Sequence, residues 1–216
     1  MKFLTEEGER ELEAAVAAIE AVSSAEVVVA IRPRVRSSIV QHVIVALVAS
    51  IAMLAFTLYS PIAFRLWHIL TLPILAGIFG GVLVEAIPAL YRFLLPAELR
   101  SQHVYDAACA AFVQRGIHAT RDRTGILVYV ALREKCVELV GDLGVRQHVG
   151  AETLIAWSGI LEGALAGGAV ALAKQLASFA PELATALPRR ADDIDELANG
   201  VQLLGARPRQ QGRAAR

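Results

Sequence analysis

The chain has 216 residues, with 21 basic side chains balanced by 21 acidic ones. That balance excludes an electrostatic case for nucleic acid, which needs a net basic surface. The two cysteines, Cys109 and Cys136, are too far apart in sequence for a zinc, redox or disulfide framework, so both read as reduced thiols, as in a cytoplasmic domain.

In chain order, Thr5 is placed to cap a helix whose first turn carries Glu6 and Glu7 near its positive dipole end. Leu12, Val16 and Ile19 form its apolar stripe, and Ser23 and Ser24 end it. Met1 to Glu20 is polar and acidic, without the apolar core of a secretory leader. Glu26 to Arg32, built on Val27, Val28, Val29 and Ile31, predicts a strand.

From Ser37 to Tyr91 the only formal charges are Arg65 and Glu85. They divide the stretch into two apolar segments, 39–59 and about 66–90. Twenty-one residues of helix cover roughly 31 Å, close to the roughly 30 Å hydrocarbon core of a bilayer. Ser60, Pro61 and Arg65 bound a connector too short for anything but a turn between antiparallel helices. The pair predicts a transmembrane hairpin across 37–93 rather than two buried helices of a soluble bundle, because soluble core helices of this length keep a polar face.

Arg32, Arg34, Arg36, Arg92 and Arg100 flank the spans, while the turn holds Arg65 alone, so the positive-inside rule puts both flanks in the cytoplasm of a bacterial inner membrane. Tyr59, Trp67, Tyr91 and Phe93 stand where interfacial aromatics are expected. Glu85 is the one acid within the spans, and pairing with Arg92 near the interface removes most of its cost. Ala76, Gly77, Gly80 and Gly81 suit close helix packing, within the hairpin or between protomers of a homo-oligomer.

A helix and a single strand cannot form a domain, so their partners must follow the hairpin. Ser101 to Arg115 predicts a helix with Val104, Ala107, Ala108, Ala111 and Phe112 on one face. The polar turn 121–125 precedes two strands, 126–132 and 136–141, joined by Arg133, Glu134 and Lys135 as an antiparallel hairpin. Helical periodicity then returns through Leu154, Trp157 and Leu161, breaks at Gly167 and Gly168, resumes through Leu176 and Phe179, and is stopped by Pro181 and Pro188. The expected fold is α/β: a small sheet covered by helices. Residues 1–36 and 94–204 form it, the hairpin interrupts it after the first strand, and 205–216 make a basic disordered tail.

Arg123 to Val130 (RTGILVYV), Val137 to Val145 (VELVGDLGV), and the later Trp157, Ala180-Pro181 and Asp192 to Leu197 (DDIDEL) together resemble the TPM domain family, in its short membrane-anchored bacterial form. The resemblance implies an α/β/α sandwich. In that family some members bind divalent metal, some have been assigned acid phosphatase activity, plant members assist photosystem II maintenance, and bacterial relatives often occur beside LemA-type membrane proteins.

In metal-binding members the turn before the second strand resembles Asp-Asn-Gly. Here Arg123 and Thr124 depart from it and only Gly125 is kept, expected at positive φ. An arginine there opposes a hard cation, which needs oxygen ligands. Asp122, one residue away, and Asp142, at the end of the last strand, are the candidate ligands for calcium or magnesium, weighed against ordinary solvated caps. Arg121, Arg123, His118 and His148 could supply cations for phosphoryl transfer, but there is no phosphate-cradling glycine loop.

The sequence therefore predicts a non-catalytic, membrane-anchored interaction or assembly module for envelope proteins, with membrane lipid and a membrane protein, such as a LemA-type one, as partners and no required cofactor. The alternatives are a divalent-metal phosphatase and a small oligomeric channel or transporter subunit built around Glu85.

Overall fold

The computed structural model describes residues 3–33, 39–86, 97–190 and 201–203. The chain divides into two compact units, one from 1–35 and 100–216, the other from 36–99.

The first unit is a four-stranded open sheet flanked by helices on both faces, with strand order β3-β2-β1-β4. Its strands are β1 (Glu26–Arg32), β2 (Gly125–Ala131), β3 (Cys136–Gly141) and the two-residue β4 (Gln202–Leu203). β1 runs parallel to β2 in the register Glu26↔Gly125 to Arg32↔Ala131, and β4 pairs parallel with β1. β3 returns antiparallel to β2, as the short Arg133–Lys135 connection predicts. That connection is polar in composition yet buries Arg133 and Glu134. β2 is buried at every position and β1 at all but its last, which is why both read as continuous apolar runs.

Side chains alternate across the sheet and build two cores. On one face Val27, Val29, Ile31, Ile126, Val128, Val130, Val137 and Leu139 meet α1 (Glu6–Glu20), α6 (Ala151–Ala164) and α7 (Gly168–Ala177). Leu12, Leu161 and Leu172 are fully buried there, and the Trp157 and Phe179 rings stack with centroids 4.5 Å apart. On the other face Val28, Leu127, Tyr129, Cys136 and Val140 meet α4 (Ala97–Gln114) through Val104, Ala108, Ala111 and Phe112. Thr5 caps α1 as expected, its Oγ1 accepting from the Gly8 N–H at 3.1 Å.

Two local expectations are corrected. Gly125 does not take positive φ; the left-handed residue of the turn is Arg123, at φ 57°. Gly125 is needed for space instead, because a Cβ there would run into the Ile117 carbonyl oxygen and come within 2.8 Å of its Cγ2. Pro181 does not stop a helix. α7 ends at Ala177, and Pro181 lies in the first turn of α8 (Ala180–Ala186), where its missing N–H breaks no helical hydrogen bond.

The second unit is a helical pair, α2 (Ile39–Tyr59) and α3 (Leu66–Ala86), each 21 residues long. By length and composition both are able to cross a membrane. Small residues bring their backbones together. Gly80 would place a Cβ 3.1 Å from that of Ala49, and Gly77 leaves room for the Ser50 hydroxyl, which donates to the Pro73 carbonyl at 2.9 Å. Val43, Leu47, Ile51, Leu70, Ile74 and Phe79 remain exposed.

A third helical run, Ala151–Ala186, meets the same criterion of length and composition. It is interrupted at Leu165–Gly167, and its Leu154, Trp157, Leu161, Leu172 and Leu176 belong to the sheet core, so its apolar content is spent on packing.

Gly125→Ala is expected to cost about 1–3 kcal/mol through overlap with Ile117. A fall of several degrees in the melting temperature of the detergent-solubilised chain would register it, whereas an unchanged melting temperature would mean that Gly125 has no steric role.

Candidate functional site

Three places carry the chemistry the sequence suggests or the fold creates. The first is the end of the sheet where the chain enters β2 and leaves β3. The antiparallel register Ile126↔Gly141 brings Asp122 and Asp142 to this same end. The approach to β2 is a closed turn, with Arg123 N–H donating to the Thr120 carbonyl and Thr124 N–H to Thr120 Oγ1. The Gly144 N–H donates to the Arg123 carbonyl at 3.0 Å, tying that turn to α5 (Leu143–His148).

Asp142 caps α5: its Oδ1 accepts from the Leu143 N–H at 2.7 Å and lies 3.8 Å from Arg123 Nη1. Its Oδ2 is buried with no hydrogen-bond partner among the described residues. Asp122 turns instead to Arg190, with Oδ2 3.0 Å from Nη1. Each carboxylate thus faces its own arginine, and His148 Nδ1 lies 2.8 Å from the Gly144 carbonyl within its own helix. Among the described residues no group of three His, Cys, Asp or Glu side chains is gathered as a metal site.

The second place is the helical pair. Glu85 belongs to the last turn of α3, and Arg92 lies outside the described residues, as do the tail 205–216 and the segment 192–197. At the connector end, Phe56, Phe64, Trp67 and His68 form a chain of ring contacts, closest between Trp67 and His68 with centroids 4.0 Å apart.

The third place is a cleft of about 560 Å³ along the outer edge of β3. Its sides are α4 (Ser101, Gln102, Tyr105) and α6 (Leu154, Ile155, Ser158, Glu162), and Arg146 of α5 contributes at the Gly141 end. The exposed edge of β3 is partly closed. Leu139 N–H donates to Ser158 Oγ at 3.0 Å, and the Gly141 carbonyl accepts from Arg146 Nε at 3.1 Å. Arg146 Nη2 also reaches Tyr105 Oη at 3.4 Å.

Within the cleft, Glu138 and Glu162 repel one another. Burial first, and then the Glu162 charge, push the Glu138 carboxyl up to about 7. Burial, followed by Glu162, likewise pushes the Cys136 thiol up to about 12, so Cys136 stays protonated and is not a nucleophile at neutral pH. A half-buried carboxyl poised near neutrality inside a cleft marks a site able to bind a cation or exchange a proton.

Sequence reasoning missed this cleft. Glu138 reads as the polar position of an alternating strand, and Glu162 as one acid on a helix face. The available signal was the identity of β3 as an edge strand, because an acid at its middle must be covered or paired.

No family model matches the chain, and no curated protein does. The fold is similar to the NMR structure of BA42 protein from the psychrophilic bacterium Bizionia argentinensis, at 19% identity over 94% of this chain and 96% of that one, with a TM-score of 0.56. At that identity the likeness speaks for the fold alone.

Glu138 has a raised value in the folded protein, so its contribution to stability is fully present below its ordinary value of 4.5 and is lost as pH rises through about 7. Glu138→Gln, which cannot ionise, is therefore expected to match the wild type near pH 4.5 and to exceed it by on the order of 1–3 kcal/mol at pH 8. Thermal melts of the full chain at the two pH values test this, and equal stabilities at pH 8 would mean that Glu138 ionises freely.

Proposed function

We propose that this chain is a membrane-anchored α/β domain, TPM-like in family, that works without catalysis as an interaction or assembly module on the cytoplasmic side of a bacterial inner membrane. The observation that carries the reading is the pair α2 and α3. Two apolar helices of 21 residues are joined by six residues and pack closely through Gly77 and Gly80, yet keep their large apolar side chains exposed. Such a surface is costly in water and suited to lipid. The pair is inserted between β1 and β2, which lie in one sheet, so the chain leaves that unit and returns to it. A two-span excursion meets this requirement because it ends on the side where it began.

The phosphatase alternative draws on the buried, unpartnered Oδ2 of Asp142. Against it stand Arg123 and Arg190, which already neutralise the two carboxylates, and the lack of a third ligand among the described residues. A hard divalent ion needs several negative or neutral oxygen donors, and a guanidinium beside the ligand oxygen works against that set.

Two measurements test the reading. The full chain is expected to stay in the membrane pellet after alkaline carbonate washing, and site-specific photo-cross-linkers on the sheet unit are expected to capture a discrete protein partner in intact cells. A chain released by carbonate, or cross-linkers that capture nothing from any position, would overturn the anchored module. For the alternative, calorimetry with calcium or magnesium and a generic phosphomonoester assay are both expected to be silent. Metal-dependent turnover lost in both Asp122→Ala and Asp142→Ala would establish an enzyme instead.

A further inference from the structure

The β3-edge cleft has the architecture of a peptide seat: an edge strand with a helix on either side, α4 and α6. The outward register of β3 runs through Val137, Leu139 and Gly141. Ser158 and Arg146 cap the edge at Leu139 and Gly141, and Val137 stands in the same register toward the end where Glu138 and Glu162 lie. The walls of the cleft also carry Tyr105, beside Arg146, and Ile155, which are 41% and 72% exposed, large apolar groups kept on the surface of a folded unit.

Charge selects the occupant. Glu138 and Glu162 are both acidic and act on one another, and Cys136, which lines the same cleft, is a neutral thiol. Arg146, the cation at the other end of the cleft, is engaged with the Gly141 carbonyl and Tyr105 Oη. Arg100 acts on Cys136 in the opposite sense and more weakly than either acid does. Among the described residues that line the cleft Arg146 is the one cation, while Lys135 shares with Glu162 the neighbouring cleft beside Leu132 and Gly163. The acidic end therefore suits a positive group reaching in from outside on an apolar stem, the shape of a lysine or arginine side chain.

We propose that the β3-edge cleft seats an extended segment of a partner protein, with a Lys or Arg side chain entering between Glu138 and Glu162 and the segment's backbone running beside Val137. This inference rests on the interaction-module reading and adds the chemistry of what is recognised. Ser158 and Arg146 restrict main-chain pairing to the Val137 end, so the contact depends on the inserted basic side chain more than on a long added strand.

The test uses the full chain in lipid nanodiscs, panned against a displayed library of random twelve-residue peptides. Selected peptides are expected to carry a Lys or Arg among β-branched residues. When one is synthesised with norleucine at its basic position, affinity is expected to fall at least about tenfold, and the parent peptide is expected to lose as much on a Glu138→Gln/Glu162→Gln double variant. A melting temperature at least equal to the wild type at pH 8 shows that the double variant is folded. Glu138→Gln alone, expected to weaken binding in part, provides a second reading should the double variant not fold.

Peptides selected without a basic residue, peptides indifferent to both variants, or no selection from the library would each overturn the inference. So would spermidine binding with no peptide binding, which would assign the cleft to a small cation. The double variant also enters the photo-cross-linking experiment. A partner captured equally well by it would remove this inference and leave the anchored module standing, whereas no partner with either protein would remove both.

Discussion

The parallel pairing of β1 with β2 is the constraint on which the rest of the structure depends. The register from Glu26↔Gly125 to Arg32↔Ala131 joins segments separated by the whole apolar hairpin, so neither side of that insertion can complete a core by itself. Any excursion between them must end where the sheet can be resumed, and two antiparallel helices with a short connector do that at little cost beyond loop closure. The length of the insertion is thus less restrictive than its parity. In the proposed reading, where the pair spans a membrane, a single span would leave β1 and β2 on opposite sides and the pairing could not form.

From that pairing the burial pattern follows. β1 and β2 are the central strands, covered on both faces, and almost every residue in them is apolar because no position has water to turn to. Polarity is confined to the margins. At the β3 edge, Ser158 and Arg146 occupy outward backbone groups that would otherwise invite another chain. The same edge holds the half-buried Glu138 and the buried Cys136 in a setting that favours their protonated forms. An edge shielded at two positions and acidic at a third is a selective surface, and in the proposed reading selectivity is what a tethered interaction module requires.

The regular elements were legible because their signals are local. Thr5 before Glu6 and Glu7, the Val27–Val29 run, the uncharged stretch from Ile39 to Tyr59 and the CVELVG strand announce their own structure, and their boundaries agree closely with the folded chain. The misreadings have a common cause. Gly125 is a glycine because of Ile117, which packs against it from another turn, and Pro181 opens a helix because α7 had already ended at Ala177. Asp122 and Asp142 do reach one end of the sheet, but their separate arginines, Arg190 and Arg123, depend on how the chain returns there. Glu138 and Glu162 are twenty-four positions apart, and nothing near either of them signals the other.

By itself the sequence determined the element types, the two apolar helices long enough to cross a membrane, and the presence of a small sheet split by them. These follow from the period of apolar residues and from runs without charge, which act within a few residues. Only the tertiary structure decided the strand order, the parallel union of β1 with β2, the arginine assigned to each aspartate, and the acidic cleft beside β3. Those depend on which distant groups share a neighbourhood once the core closes, where burial and charge act through space.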